Sequence, residues 1–242
     1  MPIVILPNVR LAFFHGWRPS DPRNGADGKP IPGKYGGQGI WAPGSEADKM
    51  ARAAFMEAAT AKWGPNAGNV VRSLSKDKKC LRVGNEMLTK DGSIRDGYAD
   101  MFYIASYNQS PPAIAAHKLF NGKPVLIGED GRGYQNGQPV DVPFEIVKPY
   151  AGCYVNLKVD IYAMDKPGQG KSVNATFLAV QYVKQGDAFG SGGPGTADGF
   201  GDMGGDDAAY PPGTAGEAFD LFGAGANTTA APAASTADPL FG

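Results

Sequence analysis

Few residues in this chain have the type and spacing to do covalent chemistry. Gly168-Gln169-Gly170-Lys171-Ser172 ends like a phosphate-binding loop. Such a loop needs a glycine five positions before the Gly of GKS, where Asp165 stands. It also needs a helix to follow, and the sequence after Ser172 has the alternation of a strand. The stretch reads as a basic hairpin tip, with Lys166 and Lys171 as a cationic finger for a backbone phosphate. His15 and His117 are far apart and in no metal-binding pattern, and Cys80 and Cys153 are unpaired in spacing, so no zinc set forms. Asp91-Gly92 and Asp96-Gly97 are turn signals without the spacing of a calcium loop. No carboxylate pair stands out. The chain reads as a non-enzyme with no cofactor and no metal.

Aromatic residues interleaved with basic ones carry a clearer message. Tyr35, Tyr103, Tyr107, Tyr150, Tyr154 and Tyr162 have Lys34, Arg132, Lys148 and Lys158 among them in sequence. Unpaired bases stack on aromatic faces at roughly 1–3 kcal/mol each, whatever their identity. Lysines and arginines displace the counterions condensed on phosphates. The residue types therefore point to single-stranded nucleic acid. Tyr103 and Tyr107 fall on one face of a strand, so they are expected together. Tyr154, Lys158 and Tyr162 share the polar face of another strand whose opposite face is already apolar. The competing reading is that these tyrosines pack under loops or line the far side of a barrel wall.

The elements that must position these groups are mostly strands. Tyr154–Met164 and Val173–Lys184 alternate cleanly, and the Gly/Pro/Lys stretch between them predicts a hairpin. Met101–Tyr107 and Val9–Trp17 predict two more strands. Val125–Ile127 and Val140–Val147, flanking Gly131, Gly133 and Asn136-Gly137, suggest a further hairpin or long loop. Ser45 and Asp48 open a helix that Gly64-Pro65 stops, and Asn66–Lys79 suggests a second. The pattern fits a five-stranded Greek-key barrel of the OB type with one or two inserted helices. A β-sandwich fits the periodicity nearly as well.

Charge divides the chain in two. Residues 187–242 hold 8 of the 24 acids and none of the 23 bases, a net charge of −8; residues 1–186 carry 23 bases and 16 acids, a net charge of +7. The first part is the expected binding core. The second is rich in Gly, Pro and Ala and cannot bury enough apolar surface to fold, so a disordered tail is expected. It repeats one element: Asp187-Ala188-Phe189-Gly190, Asp198-Gly199-Phe200-Gly201, Asp220-Leu221-Phe222-Gly223 and, one residue longer, Asp238-Pro239-Leu240-Phe241-Gly242. Phe189, Phe200, Phe222 and Phe241 are candidate anchors for protein partners, with Asp220 and Asp238 meeting a basic rim. The same tail could occupy the core's own groove. Low-complexity drift would also yield such a pattern. The four-residue apolar run Ile3–Leu6 is too short for a signal peptide or a membrane span.

Tyr150-Ala151-Gly152-Cys153-Tyr154, then VNLKVDIYAMD, a short Gly/Lys turn and VNATFLAVQYVKQGDAF, resembles the C-terminal signature of phage-encoded OB-fold single-stranded DNA-binding proteins. KDGSIRDGYADMFYIASYN before Pro111-Pro112, and GKYGGQGIWAPGSEADKM, are similar to that family's earlier segments. The resemblance spans most of residues 5–189. It implies sequence-nonspecific binding of single-stranded DNA in phage replication, recombination or repair. It also implies a location in the cytoplasm of the infected host, and replication or recombination proteins as partners of the acidic tail. This chain departs from the family habit by ending Phe241-Gly242 rather than in an acid run and a terminal Phe. A phage structural or adaptor protein is the alternative, and an enzyme of nucleotide metabolism a weaker one. An exposed strand edge could also pair two copies.

Overall fold

The computed structural model describes residues 2–25, 28–168 and 170–189. The strands in chain order are β1 (Ile3–His15), β2 (Arg23–Asn24), β3 (Pro30–Ile31), β4 (Tyr35–Trp41), β5 (Leu81–Val83) and β6 (Phe102–Asn108). They continue as β7 (Ala113–Phe120), β8 (Lys123–Ile127), β9 (Gly133–Gln135), β10 (Gln138–Val140), β11 (Tyr154–Lys166) and β12 (Gly170–Lys184). Two α-helices, α1 (Glu46–Trp63) and α2 (Ala67–Ser73), lie between β4 and β5.

The long strands close into a barrel. β1 pairs antiparallel with both β11 and β4, β4 pairs with β6, and β11 pairs with β12. The circuit closes where Cys80 N donates to Val173 O at 2.8 Å and Asn108 Nδ2 donates to Phe177 O at 3.1 Å. Counting only β1, β4, β6, β11 and β12, the order around the wall is first, second, third, fifth, fourth. This is the five-stranded OB barrel expected from the sequence, not a sandwich. A strip of β7, β8, β9 and β10 extends from β12, joined to it by a parallel pairing at Ala113–Ala115.

Alternation explains the interior. Val155, Leu157, Val159 and Ile161 of β11 are fully buried, as are Leu6, Val9 and Leu11 of β1 and Phe177 of β12. α1 lays Ala47, Ala51, Ala54, Phe55 and Ala58 on this core, and its small residues permit close approach. Ser45 Oγ caps the helix by accepting from Asp48 N at 3.2 Å. The buried Asp48 carboxylate accepts from Trp41 Nε1 at 3.2 Å and Arg52 Nε at 2.8 Å, tying α1 to β4. His117 packs edge-on against Phe144, with ring centroids 5.3 Å apart, in a structural position.

Three expectations need correction. The second helix ends at Ser73, because Leu74 is extended and the chain must straighten for Cys80 to reach β12. The first strand is longer than Val9–Trp17, since Ile3–Leu6 pairs with β11. No strand covers residues 141–147. Asn136 (φ 51°) and Gly137 (φ 77°) instead form a two-residue turn joining β9 to β10, and β8 pairs with β9. No helix among the described residues is long and apolar enough to cross a membrane.

Candidate nucleic-acid interface

The outer faces of β1, β4 and β6 form one continuous surface. Part of it is roofed by residues 84–101, which leave β5 and return to β6. Tyr98 is the pivot of that roof. It is almost wholly buried, packs edge-on against Tyr103 at 5.2 Å, and donates its hydroxyl to Gln38 Oε1 at 2.5 Å. Burial pushes the Tyr98 phenol upward in pKa, so it stays protonated and remains that donor. Ala12, Ile40, Tyr103, Ala105 and Tyr98 make a second small core beneath the roof. Asn85 and Asp100 staple the two ends of the segment: Asn85 Nδ2 donates to Asp100 Oδ1 at 3.0 Å, and Asp100 N donates back to Asn85 Oδ1 at 2.6 Å.

The other part of the surface is open. Here a cleft of 340 Å³ lies between the strands and residues 20–34, lined by Phe13, His15, Arg23, Ile31, Lys34 and Tyr107 among others. Phe13 is 37 % exposed and Tyr107 47 % exposed, both unusual for large rings on a packed sheet. Two local devices hold them out. A bulge in β1 between Ala12 and His15 breaks the alternation, so Ala12 and Phe13 both face outward while Phe14 packs on the core. Phe13 sits at φ 47°, a conformation rare for a bulky residue. On β6, Tyr107 stands opposite Gly36, where a Cβ would lie 2.5 Å from its Cδ1. The missing side chain lets the ring lie across β4.

Cations flank these rings. Arg95 from the roof places its guanidinium 5.1 Å from the Phe13 ring centre, and its Nε is buried without a hydrogen-bond partner. Lys34 and Arg23 are exposed at the cleft. The neck of the 20–34 loop is fixed by Ser20 N donating to Lys34 O at 3.0 Å and Lys34 N donating to Ser20 Oγ at 3.2 Å. Ring faces and cations converge here with no cluster of metal ligands among the described residues. The two thiols are buried away from this face, and desolvation pushes Cys80 up to about 12 and Cys153 up to about 11.

The structure brings together only part of the set expected from sequence. Lys34 and Tyr107 fall at the open cleft, whereas Tyr35, registered opposite Asn108, takes the other face of β4. Tyr103 shares the face of Tyr107, as alternation required, but is 3 % exposed beneath the roof and cannot offer its ring. Arg132 and Lys148 lie on the β7–β10 strip side. Arg132 Nε is 3.9 Å from Asp130 Oδ2, and Lys148 Nζ donates to Glu129 O and sits 5.4 Å over the Trp17 ring. Tyr150 is half-buried, its hydroxyl bridging Gly186 by accepting from N at 3.2 Å and donating to O at 2.8 Å. Tyr154, Lys158 and Tyr162 do share the outer face of β11, with Lys184 Nζ 4.6 Å over the Tyr154 ring. Lys166 and Lys171 are exposed at the tip of the β11–β12 hairpin, and a strand follows Lys171, so it is no phosphate loop.

Among the tail anchors, Phe200, Asp220, Phe222, Asp238 and Phe241 lie outside the described residues. Phe189 lies within them, half-buried against the roof. Phe13, Arg10, Arg95 and Tyr98 were not anticipated. Phe13-Phe14 was the available signal: two adjacent rings in a strand cannot both enter one core. Arg95 and Tyr98 sit in a Gly- and Asp-rich stretch that reads as a turn.

The chain matches the model of the family described as "Enterobacter phage Enc34, ssDNA-binding protein" over residues 2–210. It is 30 % identical over 210 residues to putative protein p50 of Acyrthosiphon pisum secondary endosymbiont phage 1, covering 82 % of this chain and 92 % of that one. The single-stranded DNA-binding protein of bacteriophage Enc34, solved with single-stranded DNA, has the same fold. It superposes with a TM-score of 0.52 at 16 % identity, over 78 % of this chain and 89 % of that one. A second structure of that protein gives a TM-score of 0.50 at 16 % identity, over 82 % of this chain and 90 % of that one. Barrel order, the open aromatic face and these matches agree: the chain belongs to the Enterobacter phage Enc34 single-stranded DNA-binding protein family.

Proposed function

We propose that this chain binds single-stranded DNA without sequence preference, along the open outer face of β1, β4 and β6. The observation that carries the reading is the pair Phe13 and Tyr107, two rings held exposed by a bulge and a glycine, with Lys34, Arg23 and Arg95 around them. The OB barrel uses this face of its second and third strands, with the loops between strands one and two and four and five. In this chain those loops are residues 16–34 and the β11–β12 tip carrying Lys166 and Lys171. Membership of a family of single-stranded DNA-binding proteins supports it. The chain acts by holding DNA, not by chemistry on it. A role in phage replication, recombination or repair follows from such binding, in the cytoplasm of the infected host.

The acidic tail is proposed to recruit replication or recombination proteins, and to compete for the core when DNA is absent, since +7 faces −8. The decisive measurement is titration of fluorescent oligo(dT) against salt. A log–log slope of about −0.7 per phosphate neutralised is expected, with little difference between homopolymers. A flat response between roughly 50 and 200 mM salt overturns the reading. Truncation after Gly190 tests the tail, and higher affinity at low salt is expected. Cutting at residue 186 would mix two effects, because Asp187 and Phe189 are bonded to the barrel.

A further inference from the structure

Phe189 occupies a built seat. The Arg10 guanidinium lies 4.0 Å from its ring centre, and the Tyr98 ring stands 6.5 Å away. Gly97 floors the seat at φ 77°, and a Cβ there would come within 2.2 Å of the Phe189 ring. The main chain is fixed as well. Phe189 N donates to Ala151 O at 3.2 Å, and Arg10 Nη2 donates to Asp187 O at 2.8 Å. These contacts use one phenyl ring and main-chain atoms. Any other Asp-x-Phe-Gly element could make them.

The chain holds two further elements of the same length, Asp198-Gly199-Phe200-Gly201 and Asp220-Leu221-Phe222-Gly223. Their second positions differ (Ala188, Gly199, Leu221), and the Phe ring that the seat grips is common to all three. The stretch after Phe189 carries seven acids and no base, against a net charge of +6 for residues 1–189. We infer that the Arg10–Gly97–Tyr98 seat is a receptor for these elements when a second copy of the chain presents them. Each chain then carries one receptor, satisfied internally by Phe189, and spare ligands for its neighbours. Copies brought close together exchange elements and link tail to core. The reading needs no DNA and stands apart from the proposed binding function.

The test is cross-linking between full-length chains, without DNA. The acceptor carries Asp96→Cys, an exposed position lining the same cleft as Phe189, together with Phe189→Ala. The donor carries Gly199→Cys, at the variable position of its element. The native thiols are buried and held protonated, so a short bismaleimide joins only the introduced cysteines. A heterodimer is expected, at least about fivefold more abundant than with an acceptor keeping Phe189, whose own element competes at high effective concentration. Phe200→Ala in the donor should return it to background. Equal product with and without the donor's Phe200, or with and without the acceptor's Phe189, overturns the inference. If Phe189→Ala does not fold, Phe189→Leu serves. An intermediate yield supports exchange, and a yield equal to that with Phe189 refutes it.

Discussion

Two outer faces of one barrel carry similar residues, and the difference lies in what those residues are already bonded to. On β11, Tyr154 lies under Lys184 and beside Gly186, where an added Cβ would sit 3.0 Å from its ring. Asn156 Nδ2 donates to Gln181 Oε1 at 3.0 Å, and Asn156 Oδ1 accepts from Asn8 N at 3.1 Å. Across β1, β4 and β6, Phe13 and Tyr107 are 37 % and 47 % exposed beside a cleft; Arg95 lies 5.1 Å from the Phe13 ring centre, but Tyr107 has no such cover among the described residues. A ring locked into intramolecular contacts must surrender them before a base can stack. Interleaved aromatic and basic residues mark a region as able to bind; the local bonding decides which face does.

The comparison breaks most visibly on ring removal. Phe13→Ala and Tyr107→Ala should each raise the Kd for oligo(dT) by about five- to 150-fold, from stacking worth roughly 1–3 kcal/mol. Fluorescence anisotropy reads this directly. Tyr162→Ala on β11 should change it by less than about twofold, the scale of a surface substitution. The reverse ranking would place the DNA on β11.

A subtler change sharpens the point without removing a ring. Gly36→Ala places a methyl against Tyr107 and the Ser106 carbonyl, each 2.5 Å away. Tyr107 must tilt off β4. The affinity loss should be smaller than for Tyr107→Ala, about three- to tenfold, since part of the roughly 1–3 kcal/mol of stacking survives. Unchanged anisotropy would show that the flat pose of Tyr107 is irrelevant.

Much of this architecture was legible beforehand. The inward set Val155, Leu157, Val159 and Ile161 followed from period-two alternation, and the Ser45 cap from its spacing to Asp48. The open cleft was only half legible. Tyr107 and Lys34 stood in the expected set, but Phe13 faces out through a bulge, and a bulge is set by pairing between distant strands. Tyr103 misled for a related reason. Its outward face was correct, yet the roof covering it is a turn-like stretch that seats Tyr98 against Tyr103 and hydrogen-bonds it to Gln38, 60 residues away. Local pattern specifies which side of a strand a residue takes. It does not specify what will later fold over that side.

The smallest expected effect separates cations rather than rings. Lys34 is exposed at the cleft, whereas Lys148 donates to Glu129 O and sits over Trp17. If only uncommitted cations meet phosphates, Lys34→Gln should make the log–log salt slope shallower by about 0.7, one phosphate's worth on a single strand. Lys148→Gln should leave the slope unchanged, although it removes the same formal charge. Long-range attraction alone would treat the two substitutions alike, because both lower the core's net charge by one. A shared shift in affinity with unchanged slopes would therefore assign both lysines to general steering. A slope change confined to Lys34 would place a phosphate at the mouth of the Phe13–Tyr107 cleft.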